Sequence, residues 1–300
     1  MSQKVHNLDN FGTTIRKIRE AKQLTQKQIA GNIPFSTYRK IEANLTSCTL
    51  PNFVQITQNL HIDIAEFMYI HQEYQLSERQ TLLKLFIDIK STLNKEGFIQ
   101  FFDYCDSYLQ THDDPEVLNL QCALKGLYQY SLTENREECY RYIKPLWQSL
   151  FDRKWFYWDA LTISCILFFL KDASEIHETV QKLVDVFKRY DLIYQTKSSI
   201  LRVYLNAAYG LKCINKITDG EEYVTLALEL STELGERVLY YDTLYKKAEI
   251  EFSKGHVAYA NRLATESFNG LEKYEENKGD NSFLSDNKAD WEILSQRKKS

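Results

Sequence analysis

Apolar positions near the start of the chain recur at helical spacing. Phe11, Ile15 and Ile18 fall at i, i+4 and i+7, which predicts a helix with one inward stripe and Arg16, Lys17 and Arg19 on the rest of its surface. Thr25 and Gln28 form a capping-box pair, so a second helix is predicted from about Gln26 to Gly31, with Ile29 inward. Pro34 excludes a helix interior. Ser36 is the predicted cap of a third helix reaching about Asn44, with Tyr38 and Ile41 inward. A fourth helix is predicted from Leu50–Pro51, carrying Phe53, Ile56 and Leu60, and Asp63 with Glu66 caps a fifth.

Beyond Tyr74 the pattern changes to long amphipathic segments separated by short polar breaks. Ser77 with Gln80 and Asp114-Pro115-Glu116 are further start signals. Helices are predicted near 79–95, 98–111, 115–131, 136–150, 154–170, 175–190, 192–213, 219–234, 237–253, 256–274 and 284–297. Taken in pairs they recur about every 35–46 residues, the period of helical-hairpin solenoids. An irregular bundle is the alternative. Small residues at Cys122-Ala123, Ala207-Ala208 and Ala258-Ala260 suit close helix stacking. The expected organisation is all-α, with a helix-turn-helix domain over 1–70, a linker at 71–78 and a helical-repeat domain over 79–300.

Composition agrees: ten glycines and four prolines in 300 residues leave little room for a turn-rich β fold. The longest apolar stretch, Cys165 to Leu170, is too short for a membrane span, and no signal-peptide pattern is present, so a soluble cytoplasmic protein with no membrane partner is expected. The six cysteines have neither zinc-site nor thioredoxin-like spacing. Buried, reduced thiols are the default. Cys48, beside the polar stretch Asn44–Ser47, is expected to be the most exposed, either an ordinary surface thiol or a redox-sensitive contact between subunits of a dimer. No Gly-rich phosphate loop, metal-ligand cluster or nucleophile elbow is found, so no enzyme activity, catalytic residue, metal or cofactor is expected.

Charge sharpens the division. The chain carries −4 overall, but residues 1–44 hold eight Lys/Arg against Asp9, Glu20 and Glu42, a net +5 that leaves −9 for the remainder. A basic head on an acidic body confines phosphate attraction to one end. A helix-turn-helix holds phosphates at helix starts and presents its following helix to base edges. Gln26 and Lys27 lie at the first of these places, and Phe35, Ser36, Thr37, Arg39 and Lys40 at the second. Residues 36, 39, 40 and 43 turn outward together. Arg39 suits bidentate reading of guanine and Lys40 suits phosphate, with Arg16 and Lys17 adding positive charge nearby. Taken singly, each charge would be read as part of an ordinary solvated helix face; the full constellation favours DNA contact.

The segment IRKIREAKQLTQKQIA and the later RKIE resemble the helix-turn-helix of XRE-type repressors. The short turn in GNIPFSTYRKIE narrows the resemblance to the Rgg/MutR/GadR regulators. Gly31, Ile33, Ser36, Lys40 and Glu42 match that family's pattern, whereas Pro34 and Arg39 replace small polar residues. The continuation IAEFMYIHQEYQLSERQ resembles the family's junction between domains, and the motif-bearing match ends near residue 80. The resemblance implies a right-handed superhelical, tetratricopeptide-like array that binds short hydrophobic signalling peptides in quorum sensing. It also implies a homodimer on a pseudo-palindromic duplex operator.

For such a ligand, Arg202, Asn206 and Tyr209 fall at i, i+4 and i+7, opposite a core face of Ile200, Leu201, Tyr204, Leu205 and Ala208. Asn can pair with a peptide amide in both directions and Arg can hold a carboxylate. Arg153 and Tyr157 form a second candidate pair in the aromatic run 155–158, a run that suits a plain core equally well. Dimerisation is expected through the repeats or through Trp291, Ile293 and Leu294. Two other readings stay open: a body that senses a metabolite or a protein, and an interaction scaffold that no longer binds DNA.

Overall fold

The computed structural model describes residues 10–276 and 282–297; Lys4 and Asp9 of the charge pattern lie outside them. The described residues are mostly helical and contain no strand. Two compact units divide between Lys84 and Leu85.

The first unit holds α1 (Phe11–Ala21), α2 (Gln26–Ala30), α3 (Phe35–Glu42), α4 (Leu50–Asn59) and α5 (Ile64–His71). Its core is the predicted stripe residues Ile15, Ile18, Ile29, Tyr38, Ile41, Phe53, Ile56 and Leu60, closed by Phe67. Phe53 anchors it, stacked on Phe11 at 5.3 Å and edge-on to Phe67 at 4.9 Å between ring centroids.

The helix starts follow local chemistry. Thr25 accepts from the Gln28 amide while Gln28 reaches back to the Thr25 N–H at 2.7 Å. The Asp63 carboxylate accepts from the Glu66 N–H at 2.6 Å. The third helix departs from expectation: Pro34 is its N-cap without a side-chain bond, so Ser36 sits inside the first turn rather than capping it. Pro34 supplies the extended ψ of 129° that the cap position requires.

Two glycines set the geometry. Gly31 closes α2 at φ 54°, ψ −117°, and a Cβ there would meet the amides of Asn59 and Gln55 at 2.7 and 2.8 Å. Gly12 brings α1 against the end of α3, where a Cβ would lie 2.2 Å from the Ile41 carbonyl oxygen.

The expected linker, 71–78, contains the end of α5, a turn in which Glu73 and Tyr74 take positive φ, and the start of α6 (Glu78–Asp88). Ser77 accepts from the Gln80 N–H at 3.2 Å to cap α6. The boundary between the units therefore falls inside α6. That helix stops at Asp88, not near 95, because residues 89–94 turn and Asn94 caps the next helix through the Gly97 N–H at 3.0 Å.

The second unit continues with α7 (Lys95–Leu109), α8 (Pro115–Thr133), α9 (Arg136–Phe151), α10 (Tyr157–Ile166), α11 (Ala173–Tyr194), α12 (Lys197–Cys213), α13 (Glu221–Leu234), α14 (Arg237–Ser253), α15 (Val257–Tyr274) and α16 (Phe283–Arg297). Consecutive helices pack from α7 to α16, except that α9 and α10 also share the 3₁₀ turn Leu167–Phe169. Alternate helices touch as well, α8 with α10, α10 with α12 and α14 with α16. That double pattern is what stacked hairpins give.

All of α10 is buried, so the long apolar run beginning at Cys165 is the centre of this unit. Arg136 closes it by donating to the carbonyls of Phe168 and Leu170 at 3.0 and 2.6 Å. The break expected near 190–192 lies instead at Gln195, which takes φ 49° as the C-cap of α11.

Candidate functional site

In the first unit the outward face of α3 carries Phe35, Ser36, Arg39 and Lys40, all exposed, with Thr37 half-buried beside them. Among the described residues, neither Arg39 nor Lys40 enters an ion pair. Arg16, Lys17 and Lys27 are exposed too. Not all of the head's charge is available. Lys22 donates to the carbonyls of Leu60 and His61 at 2.8 and 3.2 Å, closing the end of α4. Arg19 is turned inward.

Arg19 meets Glu42, whose side chain is fully buried. Its Nε donates to Oε1 at 2.5 Å, the Tyr38 hydroxyl donates to the same oxygen at 3.1 Å, and the Gln26 amide donates to Oε2. The bond to Glu42 and the facing charge hold the Arg19 guanidinium above its ordinary range, against burial. Burial, with the Glu42 carboxylate adding to it, pushes the Tyr38 hydroxyl up. Gln26, expected at a phosphate, therefore commits one amide hydrogen to tying α2 to α3. The same carboxylate fixes α1, α2 and α3 at once, so the orientation of the Arg39–Lys40 face depends on it.

Cys48 is not the exposed thiol. It is half-buried against the head core, where burial raises its pKa, while Cys122 on α8 is exposed. Its polar neighbours suggested solvent, but the 44–49 connection lays the side chain onto the core.

In the second unit a cleft of about 230 Å³ is lined by the 90–93 turn and by α8, α12, α14 and α16. Three predicted ligand residues meet there: Arg202, Asn206 and Tyr209. Asn206 Nδ2 donates to the Ser164 carbonyl at 2.8 Å, which fixes the amide. Tyr209 stacks on Phe168 at 5.3 Å, and burial, with Tyr130 nearby, pushes its hydroxyl up. Burial pulls the Arg202 guanidinium down from its ordinary value.

The other predicted pair lies elsewhere. Tyr157 is buried, stacked on Tyr194 at 3.9 Å, and Arg153 pairs with the buried Asp159 at the start of α10. Neither lines the cleft. Leu205, expected in the core face, does line it.

Several lining residues escaped the sequence pattern. Leu93, Leu127, Leu239 and Phe283 supply apolar surface, and Asp242, Asp286 and Asp290 make an acidic wall. Lys212 lies beneath, bridging Glu249 at 2.6 Å and Asp290 at 2.9 Å, and so ties α12, α14 and α16 together. Burial works against its charge, but these carboxylates outweigh it and hold the ammonium well above its ordinary value. Of the residues expected at a dimer contact, Trp291 packs inward on Phe252 at 5.4 Å, whereas Ile293 is exposed.

The head thus has a helix-turn-helix arrangement, and the body is a stack of helical hairpins with a mixed apolar and charged cleft. No protein-family model matches the sequence. Three solved structures share the fold over nearly the whole chain. One, assigned as a transcriptional regulator from Listeria monocytogenes EGD-e, is 18% identical with a TM-score of 0.64, covering 96% of each chain. A second is PlcR from Bacillus thuringiensis in complex with the peptide PapR7 and DNA, 17% identical with a TM-score of 0.57, covering 95% of this chain and 99% of that one. A third is the SHP pheromone receptor Rgg2 from Streptococcus dysgalactiae, 15% identical with a TM-score of 0.60, covering 94% and 99%. At these identities the likeness is one of fold. Among the described residues, no helix is long and apolar enough to cross a membrane.

Proposed function

We propose that this chain is a cytoplasmic transcriptional regulator of the Rgg type, in which a short hydrophobic peptide bound in the body's cleft alters how the head binds duplex DNA. The observation that carries it is the fold match across head and body together, to structures that include PlcR with a peptide and DNA. The local chemistry supports it at both ends. Arg39 and Lys40 present exposed positive charge on the outer face of α3, and the cleft offers an amide, a guanidinium and apolar walls.

In this account Ser36, Arg39 and Lys40 contact DNA, with Phe35 and Thr37 beside them and Arg16, Lys17, Gln26 and Lys27 near the phosphates. Arg202, Asn206 and Tyr209 contact peptide. The protein acts as a homodimer on a two-fold operator with half-sites about one helical turn apart. Selection of bound duplexes from a random library tests this. A two-fold-symmetric site should be enriched, with binding lost in Arg39→Ala. If no duplex is enriched, or if Arg39→Ala binds like wild type, the proposal is wrong.

A further inference from the structure

Arg202 stands where the cleft meets the end of α6. Its Nη2 donates to the Ile87 carbonyl at 3.2 Å, and its guanidinium carbon lies 4.8 Å from the Phe86 ring centroid. The last carbonyls of a helix lack partners within it. Here the Phe86 carbonyl accepts from the Ile89 N–H and the Asp88 carbonyl from the Lys90 N–H, while the Ile87 carbonyl accepts from Arg202. Arg202 therefore caps α6.

Neither contact neutralises the guanidinium, and among the described residues no carboxylate pairs with it. Two of the three acids across the cleft have other cations: Asp242 pairs with Lys246 at 2.8 Å and Asp290 with Lys212 at 2.9 Å. A guanidinium binds a carboxylate through two parallel charge-assisted bonds, which a peptide carbonyl cannot match.

We propose that Arg202 is a two-position anchor: without ligand it caps the end of α6, and with ligand it takes the C-terminal carboxylate of the bound peptide and releases the Ile87 carbonyl. The consequence is regulatory. The boundary between the two units falls inside α6, so loosening its last turn acts on the segment that joins head to body. A ligand shifts a conformational equilibrium only through a difference in its interactions with the two states. Exchange of one Arg202 partner for another supplies that difference. This mechanism rests on the cleft being a peptide site.

The test starts from affinity selection, on the immobilised full-length protein, from a synthetic pool of random free-acid heptapeptides. The best-retained peptide is then remade as its C-terminal carboxamide. Calorimetry should give about ten- to a hundredfold weaker binding of the carboxamide to wild type, the worth of a hydrogen bond to a charged group. Arg202→Gln should bind both forms alike. Arg202→Lys, which keeps charge without the fork, should discriminate less than wild type. Backbone amide exchange over residues 86–90 should quicken when the free acid binds wild type, and should already be quick in peptide-free Arg202→Gln. Equal binding of acid and carboxamide by wild type overturns the anchor while leaving a peptide site in place. Discrimination with no change in exchange overturns the release of α6. Failure to retain any peptide overturns both the anchor and the peptide reading beneath it.

Discussion

Arg19 and Glu42 form an ion pair at 2.5 Å inside the head, one turn below the exposed surface that carries Arg39. The first three helices are held at one buried carboxylate, so head stability and the placement of the proposed DNA-contacting face depend on the same residue.

Glu42→Ala should destabilise the head by about 3–5 kcal/mol, because Arg19 keeps only the exposed Glu20 as an ionic partner and the Tyr38 hydroxyl and Gln26 amide lose their acceptor. Denaturant unfolding of the full-length protein, followed by a probe in the head, measures this. Adding Arg19→Met to Glu42→Leu should cost less than the two single effects summed, since the stranded charge is then removed as well. Additive costs would show that the pair contributes nothing as a pair.

Arg39 and Lys40 should separate by function. Replacing Arg39 with Ala should cost about 1–3 kcal/mol on a selected duplex and relax its sequence preference. Lys40→Ala should weaken all duplexes by a similar factor and reduce the salt dependence of binding by about one counterion. Salt titrations by fluorescence anisotropy read both. Identical salt slopes for Lys40→Ala and wild type would remove Lys40 from the phosphate contacts.

The body should lose stability in acid through Glu251. Its carboxylate, nearly buried, accepts from His256 at 2.7 Å and from Lys254 at 3.2 Å, and these bonds hold its pKa below the ordinary value. A depressed carboxylate contributes stability that is complete above the unfolded pKa, about 4.3, and is lost as pH falls through the folded one. Glu251→Gln should therefore lower the melting temperature at pH 7. The gap to wild type should narrow as the pH is taken below about 4. A gap that stays constant with pH would mean that the effect is steric.

Thiol chemistry should follow burial. Alkylation of the native protein should modify Cys122 before Cys48, because Cys48 is half-buried and its pKa is raised. The proposed redox contact between two Cys48 thiols predicts a dimer band on non-reducing gels that Cys48→Ser abolishes. A band that persists in Cys48→Ser but disappears in Cys122→Ser would move the contact to the body.

What the sequence revealed followed how local each determinant is. The caps at Thr25, Asp63, Ser77 and Asp114 depend on neighbours three residues away, and all four form. The alignment of Arg202, Asn206 and Tyr209 is likewise a property of one helix. The rest of the cleft is not local: its acidic wall and the 90–93 turn come from distant segments whose stacking no single periodicity records. Arg153 and Tyr157 share a helix start, but aromatic neighbours on α11 draw Tyr157 into the core. Glu42 did leave a signal. It lies four residues after the inward Tyr38 and beside the inward Ile41, where a carboxylate needs a buried partner.

Coupling between cleft and head is read from operator affinity measured with and without bound peptide. Fluorescence anisotropy of a selected duplex, titrated with full-length protein at fixed salt, should give a Kd that shifts at least about fivefold when the retained peptide saturates the cleft. Calorimetry should find the reciprocal shift in peptide affinity when the duplex is bound. Identical Kd values with and without saturating peptide would contradict the account.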